Sequence, residues 1–68
     1  MNIGETIQRC RWTRDLTQRE LEEVSGIPRQ TIGSIELNKR GASVAVFTRL
    51  LEAMDYELII VDKRKGKK

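Results

Sequence analysis

The sequence predicts an all-α fold, a compact domain of four to five helices with one short β-strand at its C-terminal end. Three observations predict it. Apolar residues recur at helical spacing from Ile3 to Met54, and a capping residue or a proline stands at the start of each periodic stretch. One run near the end, Leu58–Val61, is apolar throughout and holds three consecutive β-branched residues. Sixty-eight residues make one domain, at a size where a core of its own gives only marginal stability.

The first helix is capped by Asn2, with Glu5 at the position that completes a capping box. Ile3, Ile7 and Cys10 lie on one of its faces. Cys10 is assigned to that apolar stripe rather than to chemistry, because the chain has no histidine to activate a thiol. Trp12 falls off the stripe, either as a surface residue or as an anchor in a subunit contact. Asp15 is the expected left-handed stop, after which Leu16 turns back into the core.

Thr17 and Glu20 form a capping box for the second helix, whose inward stripe is read as Leu21 and Val24. Gly26 supplies the left-handed backbone that ends it. Pro28 suits the first turn of a third helix, where a missing N–H costs nothing. Ile32 and Ile35 give that helix its buried face, with Ile27 packed below and Asn38 closing it.

Two short helices joined by a tight turn at Ser25-Gly26-Ile27 make a helix-turn-helix, whose second helix lies in the DNA major groove. Rotation about that helix turns Gln30, Gly33, Ser34 and Leu37 away from Ile32 and Ile35, with Arg29 on the flank. Gly33 costs about 1 kcal/mol relative to Ala in a helix interior. It is either room for a base edge or the sugar-phosphate wall, or a tolerated exposed glycine.

Lys39 and Arg40 follow in a loop and are phosphate candidates, a solvated pair of loop charges being the plainer alternative. Ser43 caps a fourth helix with Val44, Phe47, Leu50, Leu51 and Met54 on its apolar face. The strand expected over Glu57–Asp62 has no partner in so helical a chain. Leu58, Ile59, Ile60 and Val61 are therefore expected to pair with the same strand of a second copy across a two-fold axis. A short fifth helix is the alternative, and would make dimerisation helix-mediated.

Charge placement matters more than total charge. Of thirteen Lys and Arg, five lie in the last six residues, leaving eight cations against ten anions in residues 1–62, a net of −2. The domain is read as 1–62, followed by a basic tail, 63–68, expected to be disordered. Such a tail either adds sequence-independent phosphate attraction or only solubilises the chain. One cysteine excludes an internal disulfide, and no membrane-length apolar run or signal-peptide pattern is found. The expected setting is cytoplasmic and nucleoid-associated. No metal or cofactor is expected, and the lack of a nucleophile–histidine pair or a phosphate-cradling glycine loop argues against an enzyme.

Leu16-Thr-Gln-Arg-Glu-Leu, Ser25-Gly-Ile, Thr31-Ile, Ile35-Glu36, Asn38-Lys39-Arg40 and Ser43, taken together, resemble the Xre/Cro-type, phage-repressor-like helix-turn-helix family over residues 3–56. The resemblance implies a dimeric transcriptional regulator of double-stranded DNA, with Gln18 and its helix N-terminus on a phosphate and Arg29, Gln30 and Ser34 toward bases. It also implies an Arg11–Glu36 ion pair of structural role. Glu22, Val24 and Pro28 depart from the family's usual Ala, polar residue and Ser or Thr. Ser43–Val61 is similar to HipB-like antitoxins, which implies autorepression and a toxin partner. A stand-alone or phage-type regulator, or a protein-interaction adaptor on the same fold, are the alternatives.

Overall fold

In the computed structural model, which describes residues 2–64, the elements are α1 (Ile3–Thr13), α2 (Gln18–Ser25), α3 (Arg29–Glu36) and α4 (Val44–Ala53). Local chemistry sets most of their starts. Asn2 Oδ1 accepts the Glu5 N–H at 2.9 Å, and Ser43 Oγ accepts the Val46 N–H at 3.1 Å. The predicted capping box is complete: Thr17 Oγ1 accepts from Glu20 N at 3.0 Å, while Thr17 N donates to Glu20 Oε1 at 2.8 Å. α3 differs, because Pro28 occupies its cap position rather than its first turn and offers no side-chain hydrogen bond.

Every helix is followed closely by a residue in the left-handed region. Asp15 (φ 57°), Gly26 (φ 77°) and Asn38 (φ 60°) do this where the sequence predicts, and Asp55 (φ 62°) does the same after α4. Short polar side chains tolerate this conformation because they hydrogen-bond locally.

α3 packs against α1 and α2, and α4 closes the other side against the same two helices. Ile7, Leu21, Ile27, Ile32, Ile35, Phe47, Leu50, Leu51 and Met54 form the core, with Ile3, Cys10 and Leu16 partly buried against it. Gly4 of α1 sits tightly against the end of α3. A Cβ there would collide with the Ile35 carbonyl oxygen and stand 2.8 Å from Asn38 Oδ1.

Two apolar assignments need correction. Val24 is 59% exposed because the buried line of α2 runs from Leu21 to Ser25, one helical turn on, and not to Val24. Ser25 is tolerated there because its hydroxyl accepts the Ile27 N–H at 3.1 Å. Val44 is 74% exposed, since it opens the first turn of α4 while the buried stripe begins at Phe47.

The strand expected at 57–61 does not form within one chain, and neither does a fifth helix: residues 56–62 carry no regular structure. A strand needs a ladder partner, and no other extended segment among the described residues supplies one. Lys63 and Arg64, which open the expected tail, sit in an exposed turn; residues 65–68 lie outside the described residues. No helix among the described residues is long and apolar enough to cross a membrane.

Candidate nucleic-acid interface

The α2–turn–α3 unit is held from behind by a polar knot. Arg11, on α1, donates from Nε to Glu36 Oε2 at 2.8 Å and from Nη2 to Glu36 Oε1 at 2.9 Å. Its Nη1 donates to the Leu16 carbonyl at 2.9 Å. The Glu36 side chain, at the end of α3, is 1% exposed. Its hydrogen bond with this carboxylate holds the Arg11 guanidinium above the ordinary arginine value, against the opposing effect of burial. No buried side-chain nitrogen or oxygen among the described residues lacks a partner.

A third donor completes the knot. Gln18 Nε2 reaches Glu36 Oε1 at 3.1 Å, so the Gln18 side chain is turned inward. Gln18 still opens α2, and its backbone N–H belongs to the first-turn donors that α-helical hydrogen bonding leaves free. The Gln18 amide also accounts for much of the space beside Gly33: a Cβ at Gly33 would lie 3.5 Å from Gln18 Oε1, an ordinary contact.

The other face of α3 is open. Arg29, Gln30 and Leu37 are exposed, while Gly33 and Ser34 are half-buried on the same side. The rotation inferred from sequence therefore matches the burial pattern, with Ile32, Ile35 and Glu36 turned in. Lys39 and Arg40 are exposed just beyond the helix. With Gly4 and Ile35 they border an open cleft of about 530 Å³ between the start of α1 and the end of α3. Arg29, Gln30, Lys39 and Arg40 are thus exposed on α3 or just beyond it, while the Gln18 side chain is turned inward. Of the three departures in the motif, Glu22 is half-buried, Val24 points to solvent and Pro28 caps α3.

The family model described as helix-turn-helix matches residues 7–61, which spans all of α2, α3 and α4 and most of α1. The chain belongs to the Xre/Cro-type helix-turn-helix family. It is a DNA-binding regulator, and its family is a regulatory rather than a catalytic one. No curated protein matches the chain, and no solved structure does.

Among the contacts that sequence reasoning missed in this helix-turn-helix protein, one involves Arg14. Arg14 donates from Nε to the Met54 carbonyl at 2.8 Å and from Nη2 to the Asp55 carbonyl at 3.4 Å, and its guanidinium lies 4.3 Å from the Tyr56 ring centre. It fastens the end of α1 to the root of the C-terminal segment. The only hint in the sequence is an arginine beside the Asp15 stop, where helical spacing no longer says which way a side chain turns.

Proposed function

We propose that the protein is a transcriptional repressor that binds a two-fold symmetric operator as a homodimer. The observation that carries this reading is the open face of α3, where Arg29 and Gln30 are exposed and Ser34 is half-buried beside them while the Arg11–Glu36 pair grips the opposite side. Two such helices, one per subunit, enter successive major grooves about 34 Å apart and exclude polymerase by occupancy. Gln30 pairs with adenine through two hydrogen bonds, and Arg29 serves guanine or a neighbouring phosphate. Lys39, Arg40 and the N-terminus of α2 at Gln18 fix the register on phosphates.

The exposed Leu58, Ile59, Ile60 and Val61 supply the dimer contact. Pairing them antiparallel with a second copy satisfies open backbone groups and removes apolar surface from water at once. The likeness of Ser43–Val61 to HipB-like antitoxins supports a further step: the regulated operon is the protein's own, and encodes a toxin that it binds. Such a repressor works in the cytoplasm, at the nucleoid.

The test is selection from a randomised duplex library at near-physiological salt. Enrichment of a symmetric motif with half-sites about one turn apart is expected. No enrichment, together with tight capture of a protein partner, replaces the repressor with a protein-interaction adaptor.

A further inference from the structure

Leu37 is a large apolar side chain, 66% exposed, on the side of α3 turned away from the core. Its N–H donates to the Gly33 carbonyl at 3.0 Å, so it keeps the helical register of the residues before it. Seven residues after Gln30, it lies within about 20° of that side chain and about 10 Å further along the axis. Asn38 then turns left-handed at φ 60°, and the chain leaves without covering Leu37. Gln30, Gly33, Ser34 and Leu37 form one outward ridge, and only its last member is large and apolar.

Along the chain, Leu37 is bracketed by exposed cations. Lys39 and Arg40 follow it closely, and Arg29 stands at the other end of the ridge, all exposed. Charge of this sign suits a polyanion, and an apolar side chain on the same helix face gains from such a partner where it meets an apolar group. In the major groove that group is the C5 methyl of thymine. We infer that Leu37 is a specificity-determining residue that packs on a thymine methyl, at a base pair other than the one read by Gln30. The inference rests on the proposed seating of α3 in the groove.

Wild-type protein and Leu37→Ala are titrated against the selected operator, and against duplexes in which each thymine in turn is replaced by deoxyuridine. Deoxyuridine lacks only the methyl. At one thymine per half-site the wild type should lose about fourfold in affinity for each half-site changed, the worth of one buried methyl group. Leu37→Ala should be weaker on the parent operator and indifferent to the change at that position. Its thermal unfolding should match the wild type, because Leu37 lies outside the core. Equal losses for both proteins at every thymine overturn the inference, as does a Leu37→Ala variant that weakens operator and random duplex alike. A selection that yields no symmetric motif overturns the repressor reading itself, and the thymine contact falls with it.

Discussion

Arg11 and Glu36, twenty-five residues apart, meet in a two-point ion pair at 2.8 and 2.9 Å. The pair joins α1 to the end of α3, and the fork geometry of guanidinium on carboxylate fixes direction as well as distance. Removing one partner leaves the other buried without compensation. Glu36→Ala should therefore cost about 3–5 kcal/mol, comparable to the whole stability of a domain this small. Urea unfolding followed by circular dichroism should find it largely unfolded, and a paired apolar replacement (Arg11→Met with Glu36→Leu) should recover part of the loss. An unchanged urea midpoint for Glu36→Ala would show the pair to be worth no more than a surface one.

Gly33 and Gly4 separate two reasons for keeping a glycine in a helix. A Cβ at Gly33 meets Gln18 at an ordinary 3.5 Å, so Gly33→Ala should raise stability by up to about 1 kcal/mol. If Gly33 makes room for DNA, the same variant should bind the operator more weakly. Gly4→Ala instead drives a methyl into the Ile35 carbonyl and should cost about 1–3 kcal/mol. A Gly33→Ala protein that is more stable and binds normally would remove Gly33 from the interface.

Gln30 and Lys39 should fail in different ways. Gln30→Ala should lose about 1–3 kcal/mol on the operator and relax preference at one base position per half-site. Lys39→Ala should weaken every duplex together and flatten the dependence of affinity on salt. Equal loss on operator and random DNA would reassign Gln30, and an unaltered salt slope would take Lys39 off the phosphates.

Ile60 is 91% exposed, so Ile60→Lys should leave the monomer's fold intact. Sedimentation velocity should show a dimer for the wild type and a monomer for the variant, and operator affinity should fall while half-site affinity holds. A dimeric Ile60→Lys protein would move the subunit contact elsewhere, with Trp12, 59% exposed on α1, the next residue to substitute.

Burial pushes the Cys10 thiol above its ordinary value of 9.0, the charge of Arg14 only partly opposing it. The folded chain holds this proton more tightly than the unfolded chain does. Its contribution to stability is complete below about pH 9 and is lost as pH rises through the elevated value. A thiol-reactive chromogen at pH 8 should label native protein more slowly than protein in urea. Equal rates would place the sulfur in open solvent.

What could be read from sequence was local chemistry. Asn2, Thr17 and Ser43 announce helix starts because their oxygens accept first-turn N–H groups, and Asp15, Gly26 and Asn38 announce the ends. The outward face of α3 followed from two isoleucines and a fixed rotation. Val24 and Val44 went wrong because a stripe in a helix of eight to ten residues has few members, and tertiary packing then selects among them. The inward turn of Gln18 and the closeness of Gly4 to α3 depend on where helices cross, which spacing along one helix does not encode. Leu58–Val61 shows the same limit one level higher: a β-rich apolar run says that a strand is favoured but not which ladder partner, if any, it has.

The sequence of α3, Arg-Gln-Thr-Ile-Gly-Ser-Ile-Glu, contains a single acid, and that acid is Glu36. Left bare, its negative charge would repel phosphates across the groove, because the screening length at physiological ionic strength is about 8 Å. Arg11 cancels that charge at its source, and Gln18 shares the carboxylate. α3 is thereby relieved of its one anion, while Arg29 at its leading end is exposed and has no ion pair among the described residues. With α3 seated in the groove as proposed, Arg11 would act on the electrostatic potential that DNA meets from a position behind that helix.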